Sequence, residues 1–537
     1  MTLLRSMIAV LVLAGTAAMA GAAAPDAAGL APADSKALIE LVNLAGLRQD
    51  LLDSKFWAAL QATQAAKDWR ATDQYKKMQE QIDLFLGNLK MDKGEALKAY
   101  VGGRTAVVLL ESGDPQKPHG IVMTECAPDL AQRFVDATAA AKASTYRGLA
   151  VYEVAKDGRV DRMAYAAGML IVTSAPGGAL EKVIDSATGA APSLAAQDAF
   201  KAVVDGLPAG WRARAFAPQV PPYNKPGAVA MVPQAQGLHF EWRIVGDGRE
   251  DAAANTPVQL AGPRVLPERT VAALVAAVNP DAIWSLVKAK VGQKETGAED
   301  LKNAEMFIRS WFPGQTMEAI TAAFGPEAAA AVLMGDAAGG APGLVVLLRI
   351  TPSGGPVARS FKDGLASKAM LLAALAAADK EKPGPKISVR EETYGKAEIL
   401  TIEAPETLDK ILGDWAKDVA LTVALTDQWL IVGTSASGVK AVVDTAAGTG
   451  TSLAAALEKD GVKMPAGPAT HWGMIEPARG AGLLLDLMEK FGAKADVEKI
   501  QKMSNLAEML KLTRRISWVR VDEPTVVRGA ADVQAAQ

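Results

Sequence analysis

The stretch VIDSATGAAPSLAA, residues 183–196, has a near twin in VVDTAAGTGTSLAA, residues 442–455. Each copy follows a short apolar run, Leu170–Val172 in one and Leu430–Val432 in the other, as expected of a buried strand. Leu180, Val183, Ile184 and Ala187 then fall at i, i+3, i+4 and i+7, and Val439, Val442, Val443 and Ala446 repeat that spacing. Each set makes one apolar stripe on a helix. Gly189 and Gly448 stand where a helix C-terminus favours a left-handed residue. Ser193 and Ser452 can cap the next helix by accepting a backbone N–H. The motif is a strand, a helix, a glycine stop and a capped second helix, written twice. Asp185 and Asp444 fall in the last helical turn, where the macrodipole disfavours a negative charge by about 0.3 kcal/mol. They read as a solvated face or a bond to a neighbouring loop, with a site in each unit as the alternative.

The match extends outward in constant order. MLIVTSAPGGALEK from Met169 answers WLIVGTSASGVKA from Trp429, and LPAGW at Leu207 answers MPAGP at Met464. HFEWRIV at His239 answers RISWVRV around Trp518, and TAVVLLE at Thr105 answers AAAVLMG at Ala329. Phe134 and Asp136 answer Phe361 and Asp363; PADSKALIELVN at Pro32 answers PERTVAALVAAVN at Pro267. A long ordered series of weak matches implies duplicated domains rather than a solenoid of short repeats. The expected division is a signal peptide over 1–24, a first unit over 25–258 and a second over 259–537.

Within the first unit the pattern predicts a strand at Ala37–Val42 and helices over 47–66, Ala71–Leu86 and Lys93–Tyr100. A hairpin follows at Arg104–Glu111 and Gly120–Glu125, then a helix at Leu130–Ala143. Strands are expected at Leu149–Val154, Arg159–Ala166, Met169–Thr173, Arg212–Ala217 and around Trp242. The second unit repeats the order, with two strands and a turn across Ala328–Ile350 and helices at Phe361–Ala377, Ala481–Phe491 and Val497–Lys511. Its last hairpin is ISWVRVDEPTVVRGAADV. Meandering strands and blocks of helices give an α+β class: two tandem homologous units, each a mainly antiparallel sheet packed with helices.

A chain of 537 residues is too long for one core. Its formal net charge of −3 lacks the basic excess of a binder of nucleic acid or anionic membrane. Arg5, the apolar run Met7–Gly15 and the small residues TAAMAGAAAP make a secretory signal peptide, with cleavage between Ala20 and Ala24. No later stretch has the length of a membrane span. The single cysteine, Cys126, forms no internal disulfide and reads as a small semi-buried residue at a strand end, with a reactive or intermolecularly paired thiol as the rival reading. No cysteine follows the signal segment to carry a lipid.

The segments APADSKALIELVN, SKFWAAL, GGRTAVVLL and PSLAA recur as AGPRVLPERTVAALV, FGPEAAAAVLM and TSLAA in the second half. In this the chain resembles a group of secreted bacterial proteins known as a domain of unknown function. That group has a Leu-Pro-Ala-Asp-Thr type of opening strand; here Ala31 stands for the leucine and Ser35 for the threonine. The resemblance implies export and a paired α+β build, and it carries over no catalytic residue.

Chemistry-bearing motifs are sparse. His119, His239 and His471 show no HExxH or Cys/His spacing, so no metal or cofactor site is expected. Ser437 and Lys440 fit SxxK formally, without the SDN and KTG partners, and Ser437 reads as a helix cap. GDGRED, residues 246–251, reads as a hairpin turn rather than a calcium loop. Trp57, Trp211, Trp242, Trp284, Trp311, Trp415, Trp429, Trp472 and Trp518 read as core; a Trp-lined groove for glycan or lipid is the alternative. The expectation is an exported, periplasmic or secreted cell-envelope protein, non-enzymatic, serving as a binding or scaffold module for an envelope partner. The alternatives are a carrier of a lipid or other apolar ligand, and a hydrolase using carboxylates or Ser437.

Overall fold

A computed structural model describes residues 26–43, 46, 55–112, 118–156, 159–175, 178–221, 223–234, 237–246, 256–292, 297–335, 340–378, 386–404, 416–462, 464–465, 467–482, 507–508, 510–523 and 525–536. The signal segment at 1–24, Trp415, most of GDGRED, and nearly all of the helices expected at Ala481–Phe491 and Val497–Lys511 lie outside the described residues. The chain forms two compact units: Met1–Asp247 together with Thr525–Gln537, and Gly248–Pro524. Among the described residues no helix is long and apolar enough to cross a membrane.

Unit 1 begins with a short helix, α1 (Ala27–Leu30), and strand β1 (Ala37–Val42). Four helices follow: α2 (Lys55–Ala62), α3 (Gln64–Ala71), α4 (Asp73–Leu89) and α5 (Lys93–Val101). Then come β2 (Arg104–Leu110), β3 (His119–Glu125), α6 (Pro128–Ala137), β4 (Ala141–Tyr146), β5 (Leu149–Lys156), β6 (Arg159–Ala166) and β7 (Met169–Thr173). Helices α7 (Ala179–Ala187) and α8 (Asp198–Val204) precede β8 (Ala213–Val220), β9 (Lys225–Gln234) and β10 (Gly237–Val245). The strands pair antiparallel in the spatial order β4-β5-β6-β7-β3-β2-β1-β8-β9-β10. Tight turns at Arg147–Gly148 and Ala167–Gly168, with positive φ at all four residues, suit two-residue hairpins.

Helices cover both faces of this sheet, which is why its central strands read as unbroken apolar runs. In β7, Met169 and Ile171 enter the core beneath α1, α7 and α8, while Leu170 and Val172 enter the core beneath α4, α5 and α6. Leu180, Val183 and Ile184 are fully buried against the first of these cores, as the stripe in the sequence predicts. Burying each such side chain stabilises the fold by about 1.5–3 kcal/mol.

Unit 2 contains α9 (Gly262–Val265), β11 (Thr270–Ala277), α10 (Pro280–Val291), α11 (Gly297–Arg309) and α12 (Met317–Ala323). After them come β12 (Phe324–Leu333), β13 (Gly343–Ile350), α13 (Gly355–Ala378), β14 (Ser388–Tyr394), β15 (Ala397–Glu403), β16 (Leu421–Leu425) and β17 (Trp429–Gly433). Then follow α14 (Ala436–Ala446), α15 (Leu453–Lys459), β18 (His471–Ile475) and β19 (Thr513–Asp522). Its antiparallel order, β14-β15-β16-β17-β13-β12-β11-β18-β19, repeats that of unit 1 position for position. Small contacts repeat as well. Pro32 bridges Ser193, and Pro267 bridges Ser452. Leu194 donates its N–H to Ala31 and Leu453 to Leu266, each at 2.7 Å. Both units are therefore α+β with an antiparallel sheet.

Several elements depart from the sequence reading. The helix expected to reach Ala143 stops at Ala137, because Ala139 takes a left-handed φ of 54° and Ala140 N–H closes the end on Val135. The following AKASTY becomes the exposed edge strand β4: pairing with β5 overrides the helix propensity of alanine. Strand β9 was hidden in the sequence by Pro226, Gly227 and Pro233. By sheet position RISWVRV in β19 matches β9, and not HFEWRIV in β10. Ser452 caps its helix as expected, accepting from Ala455 N–H at 3.1 Å, whereas Ser193 makes no side-chain cap. The C-terminal strand, Val526–Ala535, was assigned to the second unit, but its ladder runs along β10 of unit 1 from Gly237↔Gln534 to Val245↔Val526. Deleting residues 525–537 bares that edge of β10, so aggregation of the truncated chain is expected in light scattering.

Gly189 and Gly448 take φ of 73° and 78°, with open space around a Cβ at either position. Gly189→Ala and Gly448→Ala are thus expected to cost only the torsional penalty, about 1 kcal/mol each. Urea titration checks this; a loss of less than a few tenths would contradict the left-handed reading.

Candidate functional site

The repeated aspartates are bonded to a neighbouring hairpin. Tyr146, at the end of β4, donates its hydroxyl to Asp185 at 3.0 Å, and Arg147 Nε adds a contact at 2.9 Å. Tyr394, at the end of β14, donates to Asp444 at 2.9 Å. The acceptor carboxylates raise both phenol pKa values. In each unit a donor offsets the unfavourable charge in the last helical turn and ties the edge hairpin to the helix.

The other sequence candidates lie apart. Ser437 is exposed inside the first turn of α14, and the cap is Ser435, whose Oγ accepts from Gly438 N–H at 3.0 Å. The reading of Ser437 as the cap is corrected accordingly. Lys440 Nζ lies 2.7 Å from Glu392 and over the ring of Tyr394. The amine is thus engaged by Glu392, whose carboxyl it holds below the usual range. His119 opens β3. His239 sits between Asp532 (2.7 Å) and Glu241 (3.1 Å); burial works against its charge, but the two carboxylates hold its pKa above the usual range. Burial lowers that of His471. Cys126 is buried just past β3, and burial pushes its thiol up to about 11. Trp429 and Trp472 are core residues, as expected. Among the described residues no group of three or more His, Cys, Asp or Glu could hold a metal ion.

Sequence reasoning passed over two features. The first is a charged cluster in unit 1. Glu40 on β1 is 0% exposed and faces Arg214 on β8, itself buried. Arg214 Nε donates to Glu40 at 2.7 Å and its Nη2 to both Glu40 and Asp26, the latter at 2.8 Å. Trp211 stacks 4.6 Å from the guanidinium, and Arg104 on β2 approaches Asp26 at 3.6 Å. Burial, then hydrogen bonding to Asp26, pushes the Glu40 carboxyl up to about 7 against the pull of Arg214. For Asp26 burial also acts upward, but the bond with Glu40 and the charge of Arg214 hold it below the usual range. Leu38 and Glu40 share a face by the two-residue period of β1, which is the signal in the sequence.

Unit 2 carries other residues at the matching register positions. Where Glu40 lies opposite Ala106 and Arg214, Val275 lies opposite Ala329 and Trp472. Where Arg104 lies opposite Val42, Glu327 lies opposite Ala277. Asp26 caps α1, accepting from Ala28 N–H, whereas Ala261 holds the cap position of α9 and Glu327 reaches over to accept its N–H at 2.9 Å. Both units thus place a carboxylate on the free N–H groups of this turn, from the cap residue itself in unit 1 and from β12 in unit 2. Beside Trp472, a shallow pocket lined by Leu260, Pro263, Arg264 and Met464 encloses about 20 Å³, room for one water and far below the several hundred Å³ that suit an apolar ligand.

The second feature is the far end of α13. Its counterpart, α6, spans Pro128–Ala137; α13 runs from Gly355 to Ala378. Phe361, Leu365, Ala366 and Ala369 are packed inward, but Met370, Leu371, Leu372 and Leu375 are all more than half exposed. From Ala369 to Ala378 the helix carries no charged residue. Lys368 Nζ lies 3.9 Å from the centre of the Trp311 ring, and Phe307, also exposed, stacks on Trp311 at 6.3 Å. The apolar surface therefore continues from α13 onto α11. The run MLLAALAAA, apolar all round, is the sequence signal; a helix of that kind is ordinarily covered.

Comparison of the chain with family models, with curated proteins and with solved structures gives no match in any of the three.

Proposed function

We propose that this protein is an exported, non-enzymatic binding or scaffold module of the cell envelope, built by duplication of one α+β unit, and that it makes contact through the apolar end of α13. One observation carries the binding reading. An uncharged helix end with three leucines each 57–60% exposed, extended by the exposed Phe307, marks a contact surface rather than a solvated one. The matching strand orders and the paired Tyr–Asp contacts support the duplication. The rewritten Glu40 and Arg214 positions fit divergence of the two copies after it. Export rests on the signal-like residues 1–24. A photo-reactive residue placed at Leu372 is expected to yield specific adducts in intact cells, while one at the exposed Lys67 of α3 yields none. Absence of adducts at Leu372, or robust turnover by the purified protein against a broad hydrolase panel, would overturn the reading.

A further inference from the structure

We infer that the apolar end of α13, with Phe307 of α11, is a self-association surface whose occupant is a second copy of this chain. The inference rests on the binding-module reading above and names its partner. Phe307, Leu371, Leu372 and Leu375 together offer on the order of 450 Å² of apolar surface, so that two copies bury about 900 Å², the size of a weak, reversible contact. Lys368, Leu371, Leu372 and Leu375 fall at i, i+3, i+4 and i+7, forming one stripe along the helix. Beyond Lys368 the helix is free of charge from Ala369 to Ala378, so this part meets its own copy across a two-fold axis without repulsion, and the interspersed alanines let two helices approach closely. The only cation on the stripe, Lys368, is already engaged, donating to Ser310 at 3.3 Å while lying over Trp311. The formal net charge of −3 gives an anionic lipid surface no electrostatic advantage as the occupant.

Sedimentation equilibrium of the mature chain from 1 to 100 µM tests this. A monomer–dimer equilibrium in the micromolar range is expected, and Leu371→Asp with Leu375→Asp is expected to weaken it at least tenfold. These side chains are exposed, so an unchanged thermal melt of the variant separates lost contact from lost folding. A covalent probe supplies the second arm. Cys126 is buried and poorly ionised, so in Leu372→Cys the new thiol is the reactive one. Mild oxidation is expected to double its mass, and to leave Lys67→Cys monomeric. A chain monomeric throughout with no disulfide dimer overturns the inference. So does a monomer that floats with phosphatidylcholine vesicles through the same leucines, or one whose Leu372 photo-adducts carry a different protein. In those last two cases the binding-module reading stands and only the self-association fails.

Discussion

Glu40→Val is expected to destabilise unit 1 by about 3–5 kcal/mol, an effect as large as any single substitution commonly produces. Valine is the residue that unit 2 carries at the matching register position, Val275, so the strand itself tolerates it. The cost arises from Arg214. A guanidinium cannot shed its proton, and with Glu40 gone its buried charge keeps only the half-exposed Asp26. The double substitution Glu40→Val with Arg214→Met removes both buried charges and fills the space with apolar atoms, so most of the lost stability is expected to return. Chemical unfolding of each variant, followed by circular dichroism, reads the change in stability. A single substitution costing less than about 1 kcal/mol, or a double no better than the single, would show that the cluster is not the electrostatic unit described here.

The second large effect is a dependence on pH. The Glu40 carboxyl titrates near 7 in the folded chain, against an ordinary value of 4.5. Between those values the folded state holds a proton that the unfolded state has released. The contribution of Glu40 is therefore fully present below about pH 4.5 and is lost as pH rises through about 7, a decline of about 3 kcal/mol. Asp26, held low, acts in the opposite sense, its contribution falling away only as pH drops below the ordinary aspartate range. Glu40→Gln, which imitates the protonated acid, is expected to flatten the unit 1 unfolding free energy between pH 5 and 8. Wild-type stability that rises across that window, or a variant that keeps the slope, would contradict the assignment. His239 contributes in the same direction as Glu40, but at higher pH and more weakly, because its imidazolium is partly exposed to solvent.

Much of the fold is legible because the burial period of a strand or helix is written in its residues. Leu180, Val183 and Ile184, like Val439, Val442 and Val443, specify a helix stripe, and Leu170–Val172 and Leu430–Val432 specify strands covered on both faces. Where local propensity and pairing disagree the sequence misleads. The alanines before Ser144 favour a helix, yet they form an edge strand because β5 offers them a ladder. Ser437 reads as a helix cap rather than the serine of an SxxK pair, and the cap is Ser435 two residues earlier, a shift that backbone geometry decides.

By itself the sequence determined the α+β class, the repeated strand–helix–glycine motif and the absence of familiar catalytic spacing, since each depends on neighbours within a few turns or strands. The tertiary structure alone decided that Glu40 meets Arg214 across 174 residues, that Asp185 and Asp444 are tied down by tyrosines on edge hairpins, and that the last strand returns to β10. It also decided that Leu371, Leu372 and Leu375, at the end of α13, are more than half exposed. These are relations between distant segments. Periodicity shows which face of an element is apolar, while only the assembled chain shows what that face, or a buried charge upon it, actually touches.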